Sequence, residues 1–204
     1  MNTSKARKLF LLITLVLVTS FSSGCVRYAK DVSILYEPIT TVRGGSGTLH
    51  LISAADQQTK AENIKWVIGT VTNDQNKKID EILSTTSATE IVKDAFSQEL
   101  KKAGYYVVSA TSRPADSAKS IVMTSVEVKL DQLSDLADIK ATCALVVSLE
   151  IYKSGQLIKK LQYQSKSSEN AIKDRDLLAN RVLKEAIQSA LQKAVPDAIA
   201  IFEK

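Results

Sequence analysis

The chain has 204 residues, of which 45% are hydrophobic and 24% charged, and its formal net charge is +5. This length suits a single domain with an additional terminal segment. Acidic and basic residues are interspersed along the chain instead of gathering in a basic stripe, so the composition excludes a nucleic-acid-binding protein.

The first 24 residues have the order of a secretory signal. Three basic residues are followed by an apolar run and then by mostly small residues: Lys5, Arg7, Lys8, Leu9–Val18 and 19–24. The apolar run is too short to span a bilayer, which requires about 20 residues. Ser23-Gly24-Cys25 resembles the end of a bacterial lipobox, with Ser22 where such signals usually have Leu. The resemblance implies removal of residues 1–24 and lipidation of Cys25.

Residues 25–47 are predicted to form the lipidated Cys25 and a flexible tether, because Gly44-Gly45-Ser46-Gly47 has the composition of a spacer. No Gly-Lys-Ser/Thr follows these glycines, so they do not match a phosphate-binding loop. Residues 48–204 are expected to form one α+β domain in the periplasm.

Six segments have the alternating or β-branched patterns of strands. They are Thr48–Ala54, Ile64–Thr72, Tyr105–Ala110, Ile121–Leu130, Ile139–Tyr152 and Leu157–Ser165. In the fourth segment, Val122, Val126, Val128 and Leu130 are expected to share one face. Ser154-Gly155 predicts a tight hairpin turn between the last two strands, and residues 73–78 are interpreted as a polar turn.

Two amphipathic helices are predicted. The first begins at Ser87-Ala88-Thr89-Glu90, which has capping-box spacing, and ends at Gly104. Its apolar stripe consists of Val92, Phe96, Leu100 and Ala103. The second begins near Asp174, and its stripe consists of Ala179, Leu183, Ile187, Leu191 and Ala194. Pro196 is expected to end or kink it, leaving Ala198–Phe202 as a short apolar tail.

These elements predict an α+β two-layer sandwich. Its sheet is expected to be mostly antiparallel, with four to six strands. Both amphipathic helices are expected to cover one face, and the other face is expected to remain partly in contact with water.

Few residues have the chemistry of a catalytic or metal site. His50 is the sole histidine and has no nucleophile motif beside it, so a structural or simply exposed histidine is favoured. Cys143 lies in an apolar strand and is interpreted as a buried, inert thiol. Asp131, Asp135 and Asp138 do not have the spacing of a calcium loop and are interpreted as a solvated acidic loop. We therefore predict no catalytic, cofactor-binding or metal-binding residue.

The lipobox, the Ala103-Gly104-Tyr105 helix end, the glycine hairpin and the terminal helix leading to Ile201-Phe202 together resemble the YajG family of uncharacterised bacterial lipoproteins. The resemblance implies a lipoprotein of the outer membrane that faces the periplasm and has no known active site. Val26 follows Cys25 where an inner-membrane retention signal would have Asp, which also favours the outer membrane. The architecture is also similar to that of accessory lipoproteins in lipopolysaccharide assembly, lipid transport and peptidoglycan synthesis.

Three functions follow as hypotheses. The first is a non-enzymatic lipoprotein, held in the membrane by its N-terminal lipid, that docks to an envelope protein partner. The second is a binding module for a lipid or glycan, with a pocket between helices and sheet, or a regulator of peptidoglycan synthesis. The third, an enzyme, is disfavoured because no catalytic motif is present.

Overall fold

A computed structural model describes residues 31–53, 65–115, 117–134, 138–172 and 177–204, and the backbone alone at 60–61 and 175–176. The strands are β1 (Thr48–Ser53), β2 (Lys60–Ala61), β3 (Lys65–Asn73), β4 (Lys78–Ser84), β5 (Tyr106–Ala110), β6 (Lys119–Ser134), β7 (Ile139–Lys153) and β8 (Gln156–Ala171). The helices are α1 (Ala88–Ala103) and α2 (Arg175–Phe202). The predicted signal and Cys25 lie outside the described residues, as does Asp135.

Strand β6 organises the sheet. One of its edges pairs with antiparallel β7 along most of its length, and β7 pairs with antiparallel β8. The other edge pairs in parallel with β1 over Ser120–Met123 and with β3 over Leu130–Ser134. Strand β5 extends the sheet beyond β1, while β2 and β4 both pair with β3.

The α+β class with two helices is confirmed, but the predicted sheet is wrong in part. Seven main strands and the two-residue β2 form a mixed, curled sheet instead of a mostly antiparallel sheet of four to six strands. Parallel pairing of β1 with β5 requires a crossover, and α1 lies in the connection that supplies it. The sequence analysis also missed β4, an edge strand in which Ile82 is the fully buried apolar residue.

Both predicted helix stripes are confirmed, because every one of their residues is buried. The Ser87 side chain accepts a hydrogen bond from the Glu90 amide, and Gly104 ends α1 in the left-handed conformation at φ 118°. The expectation that Pro196 ends the helix is wrong, because α2 continues through it to Phe202. Proline removes one backbone donor, but Val195 and Phe202 are buried on either side of it, and their packing outweighs that loss.

Alternation along β7 is confirmed in full. Its core-facing residues are all buried, namely Ile139, Ala141, Cys143, Leu145, Val147, Leu149 and Ile151. They belong to the same hydrophobic cluster as both helix stripes, and α1 and α2 touch each other, so both helices lie on this face of the sheet. The opposite face of β7 is half-exposed or exposed.

In β6, a bulge between Met123 and Ser125 changes the alternation. Ile121 and Met123 face the core ahead of the bulge, and Val126 and Val128 face it afterwards. Val122 lies opposite Glu150, so its predicted place on the face of Val126 is wrong. One inserted residue is enough to shift the side-chain alternation by one position.

Candidate functional site

Residues 31–47 form an extended segment, here called the strap, that packs on the domain. The Val32 amide donates to the Leu83 carbonyl of β4 at 2.7 Å. Val32, Tyr36 and Thr40 are buried along its course. Residues 31–47, the described part of the predicted flexible tether, are therefore packed against the domain.

Glu99 of α1 holds the middle of the strap. It is 1% exposed, and its carboxylate accepts hydrogen bonds from the Tyr36 hydroxyl at 2.6 Å, the Ile39 amide at 2.7 Å and the Thr40 amide at 2.8 Å. Three donors satisfy a carboxylate that would otherwise be costly to bury. Burial, together with the adjacent Glu99, raises the pKa of Tyr36 well above its ordinary value.

Sequence reasoning missed Glu99, although a signal was present. Glu99 lies three residues after Phe96 and four before Ala103, which places it on the buried side of α1. A charged residue at such a position implies a buried partner. That partner lies 63 residues earlier in the chain.

Helix α2 also contacts the strap, and residues later in the strap contact residues later in the helix. The Ser33 amide donates to Asn180 Oδ1 at 3.1 Å. One turn and then two turns further along α2, Lys184 pairs with the Glu37 carboxylate at 3.7 Å and Gln188 donates to the Glu37 carbonyl at 3.4 Å. The strap therefore runs along both helices, from their N-terminal ends towards their C-terminal ends.

The predicted spacer glycines pack closely instead. The Gly45 amide donates to the Ala103 carbonyl at 3.1 Å, just before the helix end. A Cβ atom at Gly45 would lie 2.5 Å from the Tyr105 ring, and one at Gly104 would lie 2.5 Å from the Gly45 carbonyl oxygen. These glycines allow two backbone segments to approach each other, which only glycine permits at such distances.

A polar cluster fixes the end of the strap. Lys119 Nζ lies 2.6 Å from Glu203 Oε1, and the Ser46 hydroxyl donates to Glu203 Oε2 at 2.9 Å. The Lys119 ammonium also donates to the Ser46 carbonyl at 2.9 Å. The bond from Lys119 is the main cause that lowers the pKa of Glu203 to about 2.

The structure does not assemble the residues that had been weighed as catalytic. His50 is half-buried in β1 with its Nδ1 atom unpaired. Cys143 is fully buried in β7, and burial raises the pKa of its thiol to about 12, so it is the inert thiol that was predicted. Asp131 accepts a hydrogen bond from the Thr70 hydroxyl at 2.9 Å. Within the described ranges, no group of three or more His, Cys, Asp or Glu side chains is placed to hold a metal ion.

Three surface clefts are formed by described residues. Two of about 370 Å³ adjoin each other at β3, β6 and β7 and share Asp131. The third, of about 270 Å³, lies among the strap, β4 and α1.

The hairpin between β7 and β8 forms a second distinctive surface. Ser154 and Gly155 both have positive φ, 49° and 80°, which confirms the predicted turn. The Arg113 guanidinium stacks 4.4 Å from the centre of the Tyr152 ring and donates to the Gly155 carbonyl at 2.8 Å. Next to this braced turn, Leu157 and Ile158 are exposed.

Neither described helix combines the length and apolarity needed to cross a membrane. No protein-family model matches the chain, and no curated protein sequence matches it significantly. Among solved structures, the chain is similar to a DUF330 protein from Xanthomonas campestris, with a TM-score of 0.51 and 12% identity over 85% of this chain and 95% of that one. It also matches a minor lipoprotein from Acinetobacter baumannii, with a TM-score of 0.43 and 11% identity over 65% of this chain and 90% of that one. The similarity to the DUF330 protein shows a shared fold.

Proposed function

We propose that the protein is a bacterial outer-membrane lipoprotein, acylated at Cys25, of the YajG-like kind. Its domain faces the periplasm, is not an enzyme, and serves as an accessory or docking subunit in envelope assembly, transport or maintenance. Support for the anchor comes from the basic start, the apolar run and Ser23-Gly24-Cys25.

The strap is the observation that carries this proposal. Its first described residue, Asp31, is six positions after Cys25, and the strap is bound to both helices and to β4. A lipid on Cys25 would therefore be joined to the domain through a segment that is itself part of the packed structure. This arrangement supports a function that depends on where the domain is held relative to the membrane.

The placement of possible catalytic groups supports a non-enzymatic role. His50 lies in β1, whereas Cys143 lies in β7 on the core side of the sheet. The raised pKa of Cys143 opposes formation of the thiolate that nucleophilic catalysis requires. Cys143 packs in the core, and His50 is half-buried in its strand.

Fatty-acid labelling of Cys25→Ala in cells tests the anchor. The unaltered protein should incorporate labelled palmitate and sediment with outer-membrane markers, because three acyl chains anchor durably whereas one alone holds weakly. Cys25→Ala should lose the label and leave the membrane or accumulate as an uncleaved precursor. Cys143→Ala is the matched control and should keep both. An unlabelled native protein, or one that sediments with inner-membrane markers, would contradict the proposal.

Crosslinking in cells tests the docking role. A photoreactive residue at Leu157, on the exposed hairpin, should capture a specific envelope protein that mass spectrometry identifies. The same residue at the exposed Lys193, on the outer side of α2, serves as the control. Equal, unspecific capture from both positions would count against a docking subunit.

A second candidate is a glycan-binding module. The two adjoining clefts that share Asp131 favour it, because Thr70, Thr72 and Lys140 line them with hydroxyl and ammonium groups that suit sugars. Binding to isolated peptidoglycan should then fall on Asp131→Ala and not on Asp197→Ala. Absence of binding by the unaltered protein would remove this candidate.

A further inference from the structure

Three large apolar side chains are exposed where α2 begins. Leu35 is 83% exposed, Ile172 is 73% exposed and Leu177 is 56% exposed. Isolated exposed apolar residues are common on soluble proteins, whereas a group of them indicates a contact surface.

One hydrogen bond and the positions along the chain bring these residues to one end of the domain. The hydrogen bond from the Ser33 amide to Asn180 joins the start of the strap to the first turns of α2. Leu35 follows Ser33 by two residues, and Leu177 precedes Asn180 by one helical turn. Ile172 directly follows the last residue of β8 and lies three positions before α2.

Three ion pairs of described residues lie near this end of the domain. Lys65 binds Asp31 at 2.8 Å, Arg181 binds Glu169 at 2.8 Å, and Lys184 lies 3.7 Å from Glu37. These pairs reduce the electrostatic preference for either sign of charge. Beside these paired charges, the exposed apolar side chains are the feature of the described residues that suits an apolar partner.

The length of the preceding chain limits what that partner is. Asp31 bridges to Leu83 of β4, and it lies two residues before Ser33, whose amide binds Asn180 near the start of α2. Six residues from Cys25 to Asp31 span at most about 20 Å when fully extended. The acyl chains of Cys25 would therefore hold this end within about 20 Å of the lipid surface.

We infer that the end of the domain formed by Leu35, Ile172 and Leu177 lies on the surface of the membrane that holds the acyl chains of Cys25. This inference rests on the proposed lipidation and adds a fixed orientation to it. The partner is the lipid headgroup and upper acyl region, into which the three side chains insert as an anchored amphipathic surface does.

The opposite end of the domain supplies the control. Lys119 of β6 lies opposite Lys153 of β7 in the sheet, and it forms an ion pair with Glu203, which follows α2. The turn between β7 and β8 therefore lies at the C-terminal end of α2. Residues 180 to 202 of an α-helix extend about 33 Å. Leu157, which is 44% exposed on that hairpin, is therefore turned away from the membrane in the inferred orientation.

The experiment uses the complete lipidated protein in vesicles of phosphatidylethanolamine and phosphatidylglycerol. Single cysteines are introduced as Leu177→Cys, Leu35→Cys and Leu157→Cys, and each is labelled with an environment-sensitive nitrobenzoxadiazole dye. The unaltered protein is the labelling blank, because its Cys25 is acylated and its Cys143 is buried. Mass spectrometry first establishes the acyl chains on Cys25, and flotation establishes vesicle binding.

We expect the emission of the dye at Leu177 and at Leu35 to shift to shorter wavelengths when the protein binds vesicles. Nitroxide lipids should quench the dye at these two positions at least about twice as strongly as the dye at Leu157. Equal quenching at the two ends, or stronger quenching at Leu157, would overturn the orientation. Acylated protein that floats with vesicles while all three dyes stay in water would overturn it and leave the proposed anchor intact. Protein without acyl chains would overturn both.

Discussion

The Tyr36 hydroxyl donates a hydrogen bond to the Glu99 carboxylate at 2.6 Å in the buried interior, although 63 residues separate the two in the chain. This bond joins the segment next to the predicted anchor to the first helix. Because Glu99 also accepts two strap amides, three donors converge on one carboxylate.

Removing the hydroxyl should weaken this arrangement modestly. Tyr36→Phe leaves Glu99 with its two amide donors, and we expect it to lower the free energy of unfolding by about 1–2 kcal/mol. Urea denaturation measures the change. Tyr106→Phe, at a ring that is 72% exposed, is the matched control and should change stability by less than about 0.5 kcal/mol. Equal effects of the two variants would show that the buried hydrogen bond contributes nothing.

Replacing the carboxylate should have a larger effect. Glu99→Gln offers one acceptor oxygen and adds an NH₂ group that faces other hydrogen-bond donors. We therefore expect it to lower the free energy of unfolding by about 3 kcal/mol and to release the strap from α1. Limited trypsin digestion at Arg43 should become faster, as measured by mass spectrometry. Glu90→Gln, at a side chain that is 48% exposed, should leave both stability and digestion nearly unchanged. A strap that stays protected in Glu99→Gln would contradict this role of Glu99.

The core of α2 should not tolerate a charge. Ile187 is 0% exposed among apolar side chains, and Ile187→Asp would bury a carboxylate that has no partner. Its cost of several kcal/mol is comparable with a total stability of about 5–15 kcal/mol, so the domain should unfold. Circular dichroism measures the loss, and Gln192→Asp, at an exposed position of the same helix, should fold normally. A folded Ile187→Asp protein would show that the packing of α2 has been misread.

Acid should weaken the end of the strap. The folded-state pKa of Glu203 is lowered to about 2 from its ordinary 4.5, mainly by the bond from Lys119. A lowered carboxyl pKa contributes stability above about pH 4.5, and that contribution is lost as the pH falls towards 2. In urea titrations at several pH values, Glu203→Gln should therefore resemble the unaltered protein near pH 2 and be less stable at pH 6. A difference that does not change with pH would contradict this linkage.

Local patterns predicted the helices and the long strands, because each apolar stripe or alternation is complete within its own segment. The stripe from Val92 to Ala103 and the alternation from Ile139 to Ile151 both match the structure. Strand β4 escaped prediction because an edge strand buries few side chains and has no strong alternation. The bulge after Met123 has no local signature either, and it moved Val122 to the other face.

The strap was misjudged for a different physical reason. Its glycines have the composition of a spacer, but Gly45 is required by the nearby Tyr105 ring, which is remote in the sequence. The parallel pairing of β1 with β6 likewise depends on contacts between distant segments. The glycine content of a segment indicates only that its backbone can be flexible. Contacts with residues distant in the sequence determine whether the segment is in fact packed.

The order in which the chain is made gives the contact between Ser46 and Glu203 another consequence. These residues are 157 positions apart, so the strap, which is made early, receives this contact only when the final helix has followed. A chain cut short before Glu203 would lack that contact. The C-terminal end of the strap therefore gains this contact only after the last residues of the chain have been made, whereas the contacts of Val32 and Tyr36 need only β4 and α1.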